Sequence, residues 1–449
     1  MRDPQASIRV GEFRVVRSLR EPLPTTHFLR SALAARWVVQ RRFVAFELDD
    51  DLTVSSTRLP FVTYPQEWCD AQLFDGAQLT LALQQEAVAE GFDLKDASAW
   101  NVLFDGGRPL FCDLLSFAPL EARKWWAAGQ FSRHFVLPLL LAQRRGLRGH
   151  QSFLVWRDGV PPATAREMFG TRRFLTKYWP LMADGSGGVH ADTGDFAPSV
   201  DRASAQRFRD GLHASLTWML EGVKPRSAGA PSPDAPWAGY VDQRAHYDSQ
   251  NLVTKRVTVD QWLRLAAPAW VADLGCNTGE FSRIAAEQGA NVVAIDADHD
   301  CIDRLFRSAG AASRLHCVVA TLDDLGNGRG WAGGEFSGLA QRMTQHFDLV
   351  MMLALIHHLA IGASIPLPDV ARFAARCTRD WVIVEFIDVA DPQLASLCAQ
   401  RQREPADFGI DRQRAAFVEA GFVLEAEVTL APAHRVLALL RKRVTSNFP

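Results

Sequence analysis

The sequence predicts a two-domain protein: an α/β domain with a Rossmann-like sheet at the C-terminus, preceded by an α+β domain. A strand, a glycine-rich turn and a helix follow one another within residues 271–289, and strands and helices then alternate to the end of the chain. Residues 227–236, SAGAPSPDAP, have the small-residue, proline-rich composition of a linker. We therefore divide the 449 residues into an N-terminal domain at 1–225, a linker at 226–237 and a C-terminal domain at 238–449.

The turn within residues 271–282, VADLGCNTGEFS, is the most specific motif of the C-terminal domain. The apolar run ends at Asp273, and Gly275 and Gly279 bracket the turn before helical spacing begins. Glycine allows the backbone to approach a ligand where a Cβ atom would clash. The next apolar run ends at Asp296, where a carboxylate can reach ribose hydroxyls.

This turn differs from the dinucleotide fingerprint G-x-G-x-x-G. An acid precedes it, its glycines are four residues apart, and Asn277 lies between them. A carboxylate there suits a ligand with an ammonium group and repels a pyrophosphate. Asparagine tolerates a positive φ better than most residues, so the turn remains feasible. The alternative is a glycine-rich turn that binds nothing.

The rest of this half continues the alternation of strands and helices. Predicted strands follow at residues 317–320, 347–353, 381–386, 422–430 and 435–440, with helices at 301–306, 370–375 and 412–420. The last two strands are expected to form an antiparallel pair at the end of a mostly parallel sheet.

These motifs resemble class I S-adenosylmethionine-dependent methyltransferases, in which a seven-stranded Rossmann-like domain binds the cofactor. The resemblance implies S-adenosyl-L-methionine as cofactor. Its methionine moiety would lie at the turn, the ribose at the second strand end, the adenine after the third strand and the sulfonium near the fourth. The cofactor-binding residues implied in this way are Asp273, Leu274, Gly275, Cys276, Asn277, Gly279, Asp296, Leu322, Asp323 and Leu353.

Two adjacent histidines, His357 and His358, follow the fourth predicted strand. In the methyltransferases that this chain resembles, a histidine in this place often serves the acceptor. Histidine has an ordinary pKa near 6.5, which suits a base that removes a proton from a hydroxyl or ammonium acceptor. Either residue is a candidate catalytic base, and the alternative is that one of them packs against or caps the following helix.

The N-terminal half contains a second motif. Asp96 and Asn101 are five residues apart, and Asp113 follows a predicted hairpin whose turn is Asp-Gly-Gly. This spacing resembles the catalytic loop of protein kinases and aminoglycoside phosphotransferases, in which Asn101 and Asp113 would hold Mg²⁺. No glycine-rich phosphate loop and no strand lysine accompany it.

We therefore expect a degenerate, kinase-like accessory domain. The alternatives are an active kinase and an unrelated α+β domain whose carboxylates cap turns. Apart from Asn101 and Asp113, no metal ligands are predicted.

Composition fits an enzyme of the cytoplasm. The net charge is −2, no apolar signal segment begins the chain, and the longest apolar run is too short to span a bilayer. The seven cysteines lack metal or disulfide spacing and are expected to be reduced and buried. The tetrapeptide of amino-methylating nucleic-acid enzymes and the Pro-Cys pair of cytosine-C5 enzymes are absent, so DNA is not an expected substrate.

The sequence also predicts where several polar and aromatic side chains lie. Four such residues precede the glycine turn: Tyr240, His246, Tyr247 and Lys255. Each is a candidate to reach the substrate, and surface positions are expected for most. Five tryptophans of the N-terminal domain are expected to provide buried aromatic surface: Trp125, Trp126, Trp156, Trp179 and Trp218.

The complete order of motifs resembles a group of bacterial two-part methyltransferases that includes proteins associated with rhizobial nodulation factors. The function predicted on this basis is methyl transfer from S-adenosylmethionine to an oxygen or nitrogen of a small-molecule or glycan acceptor. One alternative is a bifunctional methyltransferase and kinase. Another is a cofactor-binding scaffold that docks a partner.

Overall fold

The computed structural model describes residues 6–22, 24–121, 124–183, 202–226, 249–311, 313–430 and 434–443. The chain divides into two compact units, Met1–Ser227 and Ala228–Pro449. Of the predicted linker at 226–237, all residues but Arg226 lie outside the described part, as do Tyr240, His246 and Tyr247.

Unit 1 begins with a small antiparallel sheet and continues with helices. In the described residues, the order of its four strands is β1-β2-β4-β3, and a separate hairpin is formed by β6 and β7. The strands are β1 Ala6–Val10, β2 Arg14–Leu19, β3 Phe46–Leu48, β4 Thr53–Thr57, β5 Phe92–Leu94, β6 Val102–Asp105, β7 Arg108–Phe111 and β8 Phe117–Pro119. The helices are α1 Pro24–Leu29, α2 Ala32–Val39, α3 Asp70–Ala89, α4 Ala128–Phe131, α5 Leu137–Arg145, α6 Gly149–Val155, α7 Pro162–Phe169 and α8 Arg202–Gly222.

An aromatic cluster holds the first helices of unit 1 against its strands. Phe28 of α1 stacks on Phe117 of β8 with ring centroids 4.6 Å apart, and Trp37 of α2 meets the same ring edge-on at 5.1 Å. All three side chains are buried, so they combine a large transfer free energy with favourable ring geometry. This packing fixes the position of the β6–β7 hairpin, because Phe111 of β7 also contacts Phe117.

Unit 2 alternates helices and strands. Its helices are α9 Ser249–Ala266, α10 Glu280–Glu287, α11 His299–Ala309, α12 Leu339–Met343, α13 Leu367–Cys377, α14 Pro392–Arg401 and α15 Ile410–Glu419. Its strands are β9 Trp270–Leu274, β10 Asn291–Asp296, β11 Leu315–Val319, β12 Phe347–Met352, β13 Thr378–Ile387, β14 Phe422–Leu430 and β15 Arg435–Lys442.

These strands form one mixed sheet in the described residues, in the order β11-β10-β9-β12-β13-β15-β14. The first five in this order are parallel, whereas β15 pairs antiparallel with both β13 and β14. The chain runs outward from β9 on one side and returns to its other side with β12. The carboxyl ends of β9 and β12 therefore flank a topological switch point, where ligands bind in open α/β sheets.

The glycine turn after β9 has the backbone that the sequence predicted. Asn277 adopts a φ of 51°, and Gly275 and Gly279 have φ values of 73° and 78°. A Cβ atom on Gly279 would lie 2.4 Å from Cδ1 of Leu305, so this glycine allows close packing of the turn on α11. The turn thus needs glycine at residue 279 for both conformation and space.

The structure differs from the sequence predictions at several elements. Helices α9, α12 and α14 of unit 2 were not among the predicted elements. Lys255 is buried, whereas surface positions were expected for most residues of its group. Of the tryptophans, Trp125 is buried, but Trp126, Trp179 and Trp218 are exposed.

Two expectations from composition agree with the structure. All seven cysteines are free thiols and buried. Across the described part of the chain, every helix is too short or too polar to cross a membrane.

We predict that Gly279→Ala lowers the free energy of unfolding by about 2–4 kcal/mol, because it combines a positive φ with a steric clash. Gly289→Ala is the matched control: Gly289 also has a positive φ, 97°, but nothing lies within 4 Å of its added Cβ atom. The control should cost about 1 kcal/mol. Urea denaturation measures both, and equal costs would contradict the proposed packing role of Gly279.

Candidate functional site

A cavity of about 410 Å³ opens at the carboxyl edge of the sheet of unit 2. It lies over the switch point between β9 and β12, where the predicted cofactor residues converge. Seven of the ten predicted cofactor residues line it: Asp273, Gly275, Asn277, Asp296, Leu322, Asp323 and Leu353. These residues come from the ends of four strands and extend from residue 273 to residue 353, so the fold brings them together.

The other three predicted residues do not line the cavity. Leu274 is fully buried in β9, where alternation directs successive side chains to opposite faces of the sheet. Cys276 is also buried, and burial raises the pKa of its thiol well above its usual value. Gly279 faces Leu305 and acts through the shape of the turn. The prediction treated the whole turn as a binding surface, whereas only part of it faces the cavity.

The carboxylate of Asp296 connects the glycine turn to the end of β10. Its Oδ2 accepts a hydrogen bond from the backbone N–H of Asn277 at 2.7 Å, and its Oδ1 accepts one from Asp298 at 2.8 Å. Burial raises the pKa of Asp296 to about 6, although these two hydrogen bonds oppose the shift. The side chain is therefore held in one orientation and titrates close to neutral pH.

Asp273 is held in a similar way at the end of β9. Its Oδ2 accepts a hydrogen bond from Ser282 Oγ at 2.5 Å, across the first turn of α10. Burial raises its pKa to about 6, the Ser282 hydrogen bond opposes this, and the charge of Asp296 adds to it. Two carboxylates with raised pKa values thus lie in one cavity, a pattern that is enriched at functional sites.

The two histidines occupy different positions. His358 lines the cavity at the start of a π-helical turn, His358–Gly362, whereas His357 lies behind it with ring centroids 4.0 Å apart. Burial and the charge of Arg435 lower the pKa of His358 to about 4. Burial, together with the charges of His358 and Arg435, lowers the pKa of His357 well below its usual value. Both rings are neutral at physiological pH.

A buried network of charges lies beside this cavity. Glu385 of β13 accepts hydrogen bonds from Lys255 Nζ at 2.6 Å and Arg435 Nη1 at 3.3 Å, and all three side chains are buried. Arg435 also pairs with Asp391 at 2.9 Å. Lys255 belongs to α9 and lines the cavity, so the network joins α9, β13 and β15 to its wall. Lys255 is buried because Glu385 compensates its charge.

Several cavity residues were missed by the sequence analysis. Leu252, Phe281 and Leu359 line the cavity as apolar side chains, and their sequence neighbourhoods carry no signal beyond helical periodicity. Ala354 was not missed: the resemblance places it with Leu353 near the sulfonium, and it lines the cavity with a φ of 52°, which is unusual for alanine. The position of Ala354 was visible in the sequence, but its strained backbone was not.

The N-terminal motif forms a polar cluster in unit 1. Asp96 accepts hydrogen bonds from Gln130 Nε2 at 2.7 Å and the backbone of Ser98 at 3.0 Å, and Asn101 Nδ2 donates to the backbone oxygen of Asp96 at 3.1 Å. Burial raises the pKa of Asp96, and the charge of Asp113 adds to this shift.

The side-chain oxygens of Asp113 are also engaged locally. Ser116 Oγ and the backbone N–H of Leu115 both donate hydrogen bonds to them. Behind this carboxylate, Arg17 of β2 donates to the backbone oxygen of Cys112 at 3.1 Å. Among the residues that the structure describes, no group of three or more His, Cys, Asp or Glu side chains could hold a metal ion.

Comparison with known proteins identifies the family. A family model described as a methyltransferase domain matches residues 247–419. Nodulation protein NoeA of Rhizobium meliloti (strain 1021) is 30% identical over 370 residues, which cover 80% of this chain and 75% of NoeA. The chain belongs to the same family as NoeA and is an S-adenosylmethionine-dependent methyltransferase. Its C-terminal half has the expected Rossmann-like methyltransferase fold with a mixed sheet.

Two solved structures are also similar to slightly less than half of the chain. Magnesium protoporphyrin IX methyltransferase from Synechocystis PCC 6803, with bound SAH, is 16% identical, with 46% of this chain and 94% of that chain covered and a TM-score of 0.32. N-methyltransferase NodS from Bradyrhizobium japonicum WM9 is 14% identical. The match covers 44% of this chain and 99% of the NodS chain, with a TM-score of 0.32.

We predict that Glu385→Ala lowers the free energy of unfolding by about 3–5 kcal/mol, because it leaves Lys255 and Arg435 buried without their shared counter-ion. Glu427→Ala is the control, since Glu427 forms an exposed pair with Arg414 at 2.6 Å. That change should cost less than about 1 kcal/mol. Urea denaturation of both variants is the measurement, and a small cost at residue 385 would show that the network adds no stability.

Proposed function

We propose that this methyltransferase acts on an oxygen or nitrogen of a small-molecule or glycan-type acceptor. The observation that supports this most directly is the shared location of the predicted cofactor residues and His358 around one cavity. The glycan part of the proposal comes from the resemblance to methyltransferases associated with nodulation factors and from the relation to a nodulation protein, NoeA.

The cavity residues fit the cofactor by their chemistry. In our proposal Asp273 attracts the ammonium of the methionine moiety and Asp296 accepts hydrogen bonds from the ribose hydroxyls. Leu322 and Asp323 provide an apolar face and an acceptor for adenine. When bound, S-adenosylmethionine supplies an electrophilic methyl group on a sulfonium. The chain contributes position and exclusion of water, which are the main requirements of an in-line displacement.

His358 is the group that we propose for the acceptor. It lines the cavity, and its low pKa keeps the ring neutral above about pH 4, so a nitrogen lone pair is available throughout the physiological range. A neutral imidazole can orient an O–H or N–H group and accept its proton as the methyl group transfers. A pKa of about 4 makes it a weaker base than an ordinary histidine, so orientation is expected to be a large part of its contribution.

We predict that affinity for S-adenosylmethionine falls about tenfold from pH 7.5 to pH 5 for each carboxylate involved. The pKa values of Asp273 and Asp296 are raised to about 6, so both are ionised above that pH and protonated below it. The cofactor binds the ionised forms better, hence affinity is present above pH 6 and is lost as the pH falls.

Calorimetry of wild type and Asp296→Asn between pH 5 and pH 8 tests this prediction. The variant should bind about 1–3 kcal/mol more weakly at pH 7.5 and show a shallower pH dependence. Asp324→Asn is the control, because Asp324 is exposed and does not line the cavity. A wild-type affinity that does not change with pH would contradict the proposed roles of the two carboxylates.

We predict that His358→Ala lowers turnover by about 10²-fold or more, up to about 10⁴-fold if the ring is the general base, with cofactor affinity nearly unchanged. His357→Ala should have a much smaller effect on turnover, because this ring does not line the cavity. Single-turnover methylation with labelled cofactor and an extract that contains the acceptor measures both. Wild-type rates in both variants would show that the histidines are structural, and no labelled product from wild type would favour the scaffold alternative.

A second proposal concerns unit 1, which we infer to be a degenerate kinase-like domain. Support comes from the proximity of Asp96 and Asp113, whose charges interact, and from the hairpin between Asn101 and Asp113. Phosphoryl transfer requires neutralisation of phosphate charge, and no glycine-rich loop is present in the sequence before this hairpin. An accessory role in shaping the acceptor site or docking a partner therefore has more support than catalysis.

We predict that Mg²⁺-ATP binds weakly or not at all, and that Asp113→Asn changes methyl transfer by less than about threefold. Calorimetric titration with Mg²⁺-ATP measures nucleotide binding, and an assay of phosphate transfer measures kinase activity. Phosphate transfer from ATP that is lost in Asp96→Ala would favour the bifunctional alternative instead.

A further inference from the structure

A basic and aromatic surface of unit 1 has no role in the function proposed above. Residues 144–179 contain eight Lys and Arg side chains but two Asp and Glu side chains, in a chain whose net charge is −2. We call this feature the arginine–aromatic surface and define it by Arg145, Arg172, Arg173, Phe174, Leu175, Lys177, Trp179 and Trp218.

Direct contacts join several of these side chains in two groups. The guanidinium of Arg173 lies 4.3 Å from the ring centroid of Phe174, and the rings of Phe174 and Trp179 are 6.5 Å apart. Lys177 Nζ lies 4.0 Å from the ring of Trp218 on α8. In each group a cation lies close to an aromatic ring, whose quadrupole attracts it.

Apolar side chains of this surface are strongly exposed. Leu175 is 88% exposed, Phe174 60%, Trp218 59% and Trp179 48%. Single exposed apolar residues need no explanation, but a contiguous group rimmed by charges indicates an interaction site. The short 3-10 helix Gly170–Leu175 presents Phe174 and Leu175 side by side at its end, next to Arg172 and Arg173.

We propose that the arginine–aromatic surface binds the surface of a lipid bilayer that contains anionic lipids. Arginine and lysine attract the headgroups, tryptophan suits the interface between headgroups and acyl chains, and Leu175 and Phe174 insert below it. A polyanion such as a nucleic acid would satisfy the cations and could stack on the rings. It offers no apolar environment to Leu175, the most exposed of these side chains. Charge complementarity together with an aliphatic tip therefore favours a membrane surface.

Vesicle co-sedimentation of the full-length protein tests this proposal. Vesicles of phosphatidylcholine with about 30% phosphatidylglycerol are compared with phosphatidylcholine alone, at low and high salt. We expect wild type to bind the anionic vesicles and to be released by high salt, because part of the attraction is electrostatic. The double variant Arg172→Glu with Leu175→Ser should bind about 10–100-fold more weakly, since it reverses one charge and removes one inserting side chain.

The matched control is Arg36→Glu with Val39→Ser, which makes the same kinds of change at exposed positions of α2. Thermal unfolding of both variants verifies the fold, because all four side chains are substantially exposed. Equal binding by the two variants, or no binding of wild type to anionic vesicles, would overturn the proposal. Binding to heparin without binding to vesicles would also overturn it and would identify a polyanion site instead. Cofactor affinity is measured in parallel, so that failure of this proposal is distinguished from failure of the proposed function.

Discussion

Burial of carboxylates at the carboxyl edge of one sheet is the constraint on which the arrangement of unit 2 depends. Three buried carboxylates lie at or near the ends of strands: Asp273, Asp296 and Glu385. Burial of each carboxylate without partners would cost several kcal/mol. Each is therefore satisfied by a different neighbouring element. Ser282 of α10 donates to Asp273, the glycine turn donates to Asp296, and α9 and β15 supply cations to Glu385. The same hydrogen bonds that satisfy the charges also fix the walls of the cavity.

The partners of these carboxylates differ in charge, so the two sides of the cavity differ in their electrostatics. Asp273 and Asp296 accept neutral hydrogen bonds, so they retain raised pKa values and remain responsive to a cationic ligand. Glu385 is compensated by two cations, and the charge of Arg435, which Glu385 and Asp391 share, contributes to the lowered pKa values of the histidines. One side of the site is thus prepared for positive charge, while the other holds a neutral imidazole. This division suits a cationic cofactor and an acceptor that must lose a proton.

The sequence was sufficient for what depends on local pattern. Asp273, Gly275 and Asp296 could be identified because a parallel sheet places strand ends at one edge, and because a positive φ restricts the residues of the turn. The burial of Lys255 was not predictable, because its partner Glu385 is 130 residues away and no local pattern shows that pairing. Cys276 and Gly279 lie in the predicted turn but do not line the cavity, and Gly279 instead packs closely on Leu305 of α11. Trp179 and Trp218 were expected to be buried because tryptophan usually is, yet both are exposed, and Trp218 has the charged Lys177 as a neighbour.

The two polar features of unit 1 differ in how far their side chains have partners within the unit. Asp96 and Asp113 are close enough to repel each other, but each carboxylate accepts hydrogen bonds from two local donors, so this cluster has partners within unit 1. The arginine–aromatic surface has the opposite character. The rings that its cations contact are largely exposed to water. Exposure of Leu175 is unfavourable, because apolar surface is more stable when it is removed from water. A cluster that is already satisfied needs no partner to be stable, whereas exposed apolar area beside concentrated positive charge is stabilised only when a partner of complementary chemistry covers it.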